Sequence, residues 1–270
     1  MLTLEAVSKR FALKAGYFAA ARRHVYAVRE VSLRIAAGET YGLVGESGSG
    51  KTTTARLAVG MYRPDSGTIT YRGRAGDLHQ VGRSNARARR DLRTRLAYVF
   101  QDPARSLNPR MRVESILLAG LRYTASWRGV DDGRTRALAA LEAVGLAARH
   151  LSRRPPDFSG GQRQRVAIAR ALIAQPETII CDEIVSALDV SIRSQILDLL
   201  QRLRRELGLT LLFISHDLAV VTYFCDRVGV MQGGRLVEEA AARELATNPR
   251  HRYTRSLYAA VPKLPTFAPI

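Results

Sequence analysis

The segment GESGSGKT at residues 45–52 constrains this chain more than any other feature of its sequence. It follows a short apolar run, Thr40–Val44, and precedes Thr52–Met61, which is predicted to be helical. A glycine-rich turn between a buried strand and a helix aims successive backbone N–H groups at one point, beside the positive end of the helix dipole. The sequence therefore predicts a phosphate-binding loop within an α/β protein.

Two residues that close the loop extend this prediction to a nucleoside triphosphate with Mg²⁺. Lys51 can reach β- and γ-phosphates, and the Thr52 hydroxyl can ligate Mg²⁺. A glycine-rich turn without function is the alternative, but the strand, lysine, threonine and helix together argue against it. The predicted nucleotide-binding residues are Gly45, Glu46, Ser47, Gly48, Ser49, Gly50, Lys51, Thr52 and Thr53.

A second buried strand, Thr178–Asp182, ends in two acidic residues. Strands of a parallel sheet deliver their carboxyl ends to one ligand crevice, which places these acids beside the phosphate loop. Asp182 suits Mg²⁺ coordination, and Glu183 suits polarising the water that attacks a γ-phosphate. The alternative is an ordinary acidic turn.

The rest of the chain alternates strands with helices, which predicts a mainly parallel sheet. A helical lobe is expected from Pro103 to about Leu151, and 74–95 is expected to be a surface excursion. The chain after Met231 is expected to be a short tail with several prolines. The apolar residues expected to face the interior of the lobe are Leu117, Leu118, Leu121, Leu138, Leu141, Val144 and Leu146. A strand over Val25–Ile35 is expected to bury Val25, Ala27, Val31, Leu33 and Ile35 on one face.

The composition limits the partners and the cellular compartment that such a protein can have. The net charge is +18, but Lys occurs at only four positions, so the excess is almost all arginine. An arginine-rich proteome, an anionic membrane nearby and nucleic acid are three explanations, and the chain has no aromatic-interleaved basic motif that supports the last. No apolar run long enough to span a membrane and no signal peptide are expected. Two distant cysteines, Cys181 and Cys225, favour a reduced, cytosolic protein.

Several motifs occur in an order that resembles the ATP-binding-cassette (ABC) transporter ATPases, over nearly the whole chain. They are VSKRF (7–11), the loop at 45–52, FQDP (100–103), FSGGQRQRVAIARAL (158–172), TIICDE (178–183), SALD (186–189) and FISHD (213–217). The resemblance implies a P-loop ABC-ATPase fold with a mainly parallel core, an antiparallel β-subdomain and an inserted helical subdomain at about 103–160. It also implies a nucleotide-binding domain over 1–262 and a short C-terminal extension over 240–270.

The resemblance assigns further site residues. Two such domains would pack head to tail, so that the signature residues Ser159, Gly160, Gly161 and Gln162 meet the ATP on the partner's loop. Gln101 would contact Mg²⁺ and the attacking water. His216 would bridge Glu183, the γ-phosphate and the partner, and Asp189 would lie in the loop that crosses to the partner. The catalytic set is thus Glu183, His216 and Gln101, with Thr52, Gln101 and Asp182 around Mg²⁺.

The aromatic residue that stacks on adenine is assigned to Phe11 by its position in the VSKRF segment. The insertion that follows leaves Tyr17, Phe18 and Tyr26 as alternatives.

Three segments are similar to the ATPases of dipeptide, oligopeptide and nickel importers, and the one at 181–191 resembles the second of their two paralogues. They are VFQDPARSLNPRMRV (99–113), CDEIVSALDVS (181–191) and HRYTRSLYAAVPKLP (251–265). Ile184 and Val185 replace the usual Pro-Thr, which should not remove hydrolysis. The chain has no cysteine after Cys225, so we expect no iron–sulfur cluster.

This similarity implies an importer subunit at the cytoplasmic face of the cell membrane. Its partners would be a paralogous ATPase, with a homodimer as the alternative, two permease subunits and, indirectly, a substrate-binding protein. A cassette ATPase that acts on ribosomes or DNA, or one that serves phosphonate metabolism, is the alternative function. The chain has one cassette and no heptad run, unlike most ribosomal and DNA-repair relatives.

Overall fold

The computed structural model describes residues 1–12 and 24–260 and places ten strands there in two sheets. The strands are β1 (Leu2–Ala12), β2 (His24–Ile35), β3 (Thr40–Val44), β4 (Ser66–Arg72), β5 (Leu78–Gln80), β6 (Leu96–Val99), β7 (Thr178–Asp182), β8 (Thr210–Ile214), β9 (Arg227–Gln232) and β10 (Arg235–Ala241).

The central sheet has six strands in the order β10-β9-β3-β8-β7-β6. The five strands β9, β3, β8, β7 and β6 run parallel to one another, and β10 is antiparallel to β9. All residues of β3, β7 and β8 are buried, as expected for strands with both faces covered. The predicted mainly parallel core is confirmed.

The second sheet is antiparallel, with the order β2-β1-β4-β5. The predicted single buried face of 25–35 is wrong in its first half. Val31, Leu33 and Ile35 are buried, but Val25 is 48% exposed. Glu30 has φ 49° beside a register irregularity, and such a bulge turns the preceding residues to the other face.

Ten α-helices complete the described part of the chain. They are α1 (Lys51–Ala58), α2 (Ala86–Arg95), α3 (Pro103–Ser106), α4 (Val113–Arg122), α5 (Val130–Ala143), α6 (Gly160–Leu172), α7 (Val190–Leu207), α8 (Leu218–Phe224), α9 (Ala242–Thr247) and α10 (Arg252–Ala259), with 3₁₀ turns at Ala148–Ser152 and Pro155–Asp157. None of these described helices has the length and apolarity that crossing a bilayer requires.

Two apolar clusters cover opposite faces of the central sheet. Strand β7 sends Ile179 and Cys181 into one cluster, which includes α4 to α7, and Ile180 into the other, which includes α1 and the antiparallel sheet. This alternation follows from the period of two along a strand. In the helical lobe Leu117, Leu121, Leu141, Val144 and Leu146 are buried as predicted, but Leu138 is 38% exposed on α5.

The chain after Met231 is not merely the predicted short tail, because it forms β10, α9 and α10. Strand β10 carries Glu238 and Glu239 in its middle, and five of its seven residues are half-buried, so the apolar alternation that marks a strand is weak. The antiparallel pairing of β10 with β9, rather than its sequence pattern, determines where this strand lies. The aromatic candidates Tyr17 and Phe18, in the insertion that follows VSKRF, lie outside the described residues, as do 261–270.

Candidate functional site

The glycine-rich segment 45–52 joins β3 to α1, as its sequence predicts. Gly50 caps α1 with φ 106°, and a Cβ there would lie 2.3 Å from the carbonyl oxygen of Ala27, so both conformation and space require glycine. The loop therefore starts from a fully buried strand and ends at a free helix N-terminus, which is the geometry that binds phosphate.

Lys51 is folded back onto the loop. Its side-chain amine Nζ donates to the carbonyl oxygens of Gly45 at 2.7 Å and Glu46 at 2.8 Å, and the residue is 4% exposed. Burial lowers the pKa of this amine, while Glu183 and Asp182 act in the opposite direction. An ammonium group bound to neutral carbonyls can transfer to phosphate oxygens, to which it bonds more strongly.

Asp182 connects the end of β7 to the loop. Its Oδ1 accepts a 3.0 Å hydrogen bond from the Thr52 hydroxyl, and its Oδ2 accepts a 2.6 Å bond from the Tyr98 hydroxyl. The carboxylate is 3% exposed, so both oxygens need these partners. A hydroxyl and a carboxylate side by side at a phosphate loop form a donor set of the kind that Mg²⁺ prefers.

Tyr98 is a site residue that the sequence analysis missed. It lies in β6, whose parallel register places Tyr98 opposite Ile180 of β7, two residues before Asp182. Burial, reinforced by the Asp182 charge, raises the pKa of its hydroxyl, which stays a donor. Only the pairing of the two strands relates Tyr98 to the acid.

Glu183 has an unusual backbone conformation for a residue with a side chain. Its φ is 49°, and its N–H donates to the carbonyl of Ile214 in β8 at 3.0 Å. Its Oε2 accepts a 2.9 Å bond from Gln101 Nε2 and lies 3.4 Å from His216 Nδ1. Left-handed backbone costs free energy and is concentrated at functional sites. The three residues predicted as catalytic are thus in one cluster.

The signature residues form a separate part of the structure. Ser159 caps α6 in a capping box, in which its Oγ accepts from Gln162 N–H at 3.3 Å and its N–H donates to Gln162 Oε1 at 3.1 Å. A Cβ on Gly161 would lie 2.7 Å from Ile192 of α7, whereas a Cβ on Gly160 would meet open space. Within the described residues, no hydrogen bond joins the Ser159 or Gln162 side chain to the phosphate loop.

Comparison with known proteins decides the family. The ABC transporter family model matches residues 28–186. Oligopeptide transport ATP-binding protein OppF of Bacillus subtilis strain 168 is 46% identical over 246 residues, which is 91% of this chain and 79% of that protein. This chain belongs to the ABC transporter ATP-binding family. It is therefore an ATPase cassette, and its predicted fold is confirmed.

Further relatives agree with this assignment of the ABC cassette. Oligopeptide transport ATP-binding protein AmiF of Streptococcus pneumoniae serotype 4 is 45% identical over 236 residues, covering 87% of this chain and 75% of that one. The solved dimer of the ATP-binding cassette MJ0796 in a post-hydrolysis state, with ADP and Pi, superposes with a TM-score of 0.74 at 30% identity, over 90% of this chain and 99% of that one.

The remaining predicted residues of the cassette lie at its surface. Asp189 is exposed at the start of α7. Phe11 is 38% exposed and meets Tyr62 edge-on at 5.4 Å, whereas Tyr26, 44% exposed, lies under the Arg29 guanidinium, which is 5.3 Å from its ring centre. The adenine contact stays a prediction for Phe11, with Tyr26 as the described alternative.

Proposed function

We propose that this ABC cassette is the motor subunit of an importer for peptides or related small solutes, of the dipeptide, oligopeptide and nickel type. The catalytic part of this proposal is supported by the position of the Glu183 carboxylate. It lies between Gln101 and His216, beside the loop that contains Lys51. The importer part is supported by the names of the relatives OppF and AmiF.

The proposed hydrolysis uses residues that follow the ends of four strands, β3, β6, β7 and β8. The loop residues 45–53 hold the phosphates of ATP, with Lys51 moving from loop carbonyls to the β- and γ-phosphates. Glu183 orients and polarises the attacking water, and His216 and Gln101 fix its carboxylate. This works because the donors are already in place before the charge on the γ-phosphate changes.

Magnesium fits the residues that are present. Thr52 and Asp182 offer a hydroxyl and a carboxylate oxygen 3.0 Å apart, and Gln101 lines the same cavity of about 400 Å³ as Asp182. When bound with ATP, Mg²⁺ neutralises phosphate charge. Thr52, Asp182 and Gln101 are the side chains proposed to hold it, and the absence of an iron–sulfur cluster stays a prediction from the cysteine positions.

The active form is proposed to be a dimer of cassettes on two permease subunits, at the cytoplasmic face of the membrane. Ser159–Gln162 would bind the γ-phosphate of the partner's ATP, and Asp189 would contact the partner. The open space over Gly160, at the start of α6, supports this. A paralogous partner is favoured over a second copy, and a substrate-binding protein would act through the permeases.

The proposed domain division follows the same reasoning. The nucleotide-binding domain covers 1–262, with the helical subdomain at about 103–160 docking a cytoplasmic segment of the permease. The peptide-importer type of extension covers 240–270. Closure of the dimer on ATP would move the lobe, and hydrolysis would reopen it.

The decisive experiment is reconstitution of this chain with its permeases and partner cassette in lipid vesicles. We expect the ATPase rate to rise several-fold when peptide-loaded binding protein is added. The same complex carrying Glu183→Gln is the control for background hydrolysis. An ATPase rate that loaded binding protein leaves unchanged would contradict the importer assignment.

A further inference from the structure

The start of the phosphate loop is held by a residue from the C-terminal part of the chain. The backbone N–H of Glu46 donates to the Tyr253 hydroxyl at 2.9 Å, across 207 positions of sequence. Tyr253 lies in the first turn of α10 and is 7% exposed. One buried side chain therefore fixes the peptide at which the chain leaves β3 and enters the loop.

The same residue of the loop is bound on its other side by Lys51, whose Nζ donates to the carbonyl oxygen of Glu46 at 2.8 Å. Phosphate on the loop competes for this ammonium group, because charge-assisted bonds between ions are stronger than bonds to neutral carbonyls. When Lys51 transfers to phosphate, Glu46 loses that contact. The bond from its N–H to Tyr253 does not involve the lysine and continues to hold the loop.

Helix α10 is itself seated firmly enough to act as a support. Both carboxylate oxygens of Glu238 in β10 accept backbone N–H bonds, from Arg250 at 2.7 Å and from His251 at 3.0 Å. Nδ1 of His251 in turn accepts from the N–H of Tyr253 at 3.3 Å. Because β10 pairs with β9 and β9 with β3, Tyr253 is carried by the same sheet that carries the loop.

We propose that Tyr253 is a positioning residue for ATP binding, which keeps the entrance of the phosphate loop in the geometry that receives the phosphates. The proposal rests on the assignment of residues 45–52 as the ATP site. Among the described residues the Tyr253 hydroxyl is hydrogen-bonded to Glu46 and to none of the residues around Glu183. It therefore acts on nucleotide affinity and leaves the chemical step unchanged.

The test is Tyr253→Phe in the full chain, with KM and kcat for MgATP and calorimetric binding of MgADP. We expect KM and Kd to rise roughly three- to tenfold, the effect of one net hydrogen bond, with kcat within about twofold. Tyr258→Phe is the matched control. It removes a hydroxyl from the same helix, but this one lies 3.4 Å from Thr222 Oγ1 in α8, so both constants should stay within about twofold.

A second variant tests the support. Glu238→Gln can accept one of the two backbone bonds, so it should raise KM in the same direction, and its effect should be less than additive with Tyr253→Phe. A KM for Tyr253→Phe equal to that of the unmodified chain, or an equal rise in Tyr258→Phe, would overturn the proposal. If the unmodified chain binds MgADP and Lys51→Ala does not, the ATP-site assignment stands whichever result Tyr253 gives.

Discussion

Gln101 donates a hydrogen bond from Nε2 to Oε2 of Glu183 at 2.9 Å, although 82 positions separate the two residues. The same oxygen lies 3.4 Å from Nδ1 of His216. The carboxylate is therefore held by residues that follow β6 and β8, the two strands that flank its own strand. Gln101 lies in the loop at the start of the helical lobe. Any displacement of that loop therefore moves a hydrogen-bond donor of Glu183.

The Glu183→Gln substitution tests this carboxylate as the group that polarises water. We expect the rate of ATP hydrolysis to fall by about 10² or more, the typical loss when a general base is removed, while ATP affinity stays within a few-fold. Size-exclusion chromatography with MgATP should detect an ATP-dependent dimer when both cassette partners are present. Substantial turnover at the substituted chain's own site would exclude Glu183 as the base.

The Lys51→Ala substitution tests the phosphate loop. Since the amine is buried and its bonds to phosphate are charge-assisted, we expect calorimetry to show ATP affinity at least about tenfold weaker, with no measurable turnover. Lys9→Ala is the control. Lys9 forms a 2.8 Å ion pair with Asp65 that is partly exposed, and such pairs contribute little. Equal ATP affinities for the two variants would contradict the assignment of Lys51.

These two residues also show how far sequence reasoning reaches. Lys51 and Glu183 were predicted because each follows a short buried strand, and both the strand and the residue pattern are local in sequence. Tyr98 and Tyr253 were missed because no local pattern assigns either of them to the phosphate site, and the segment 251–265 that contains Tyr253 indicates only the type of importer. Their roles depend on the pairing of β6 with β7 and on the seating of α10, which are contacts between distant segments.

The Ser159→Arg substitution tests whether α6 faces a partner. The open space over Gly160 would be filled by the arginine, so we expect ATP-dependent dimer formation to be lost while ATP affinity of the monomer is unchanged. Ser159→Ala is the matched control, because it also removes the capping hydroxyl, at a cost of about 1 kcal/mol, without adding bulk. If Ser159→Ala abolished dimer formation equally, loss of the hydroxyl, as the cap or as a contact to the partner's ATP, would be the cause, and not the bulk of arginine. Light scattering distinguishes these outcomes.

The Tyr98→Phe substitution leaves Oδ2 of the buried Asp182 without its donor. We expect the free energy of unfolding to fall by about 1–3 kcal/mol in urea titrations, and half-maximal ATPase activity to require more Mg²⁺, since Asp182 is then less firmly oriented. Tyr62→Phe is the control, because its hydroxyl accepts a 3.2 Å bond from the half-buried Arg56 and leaves no buried group unpaired. Equal losses of stability in the two variants would show that the bond to Asp182 contributes no more to the free energy of unfolding than the bond between Arg56 and Tyr62.

The two cysteines provide a measure of how tightly the site is held. Burial raises the pKa of Cys181 to about 12 and that of Cys225 well above its usual value, so neither thiol forms the reactive thiolate at pH 8 in the folded chain. We expect iodoacetamide to label both only after unfolding.

Cys181 directly precedes Asp182 in β7, so a nucleotide that binds the folded site must be released before iodoacetamide can label Cys181. In the Glu183→Gln variant, MgATP at about 100 times its Kd should therefore slow labelling by about 100-fold. Rapid labelling of Cys181 without unfolding, or a rate that MgATP leaves unchanged, would contradict a site built on this buried strand.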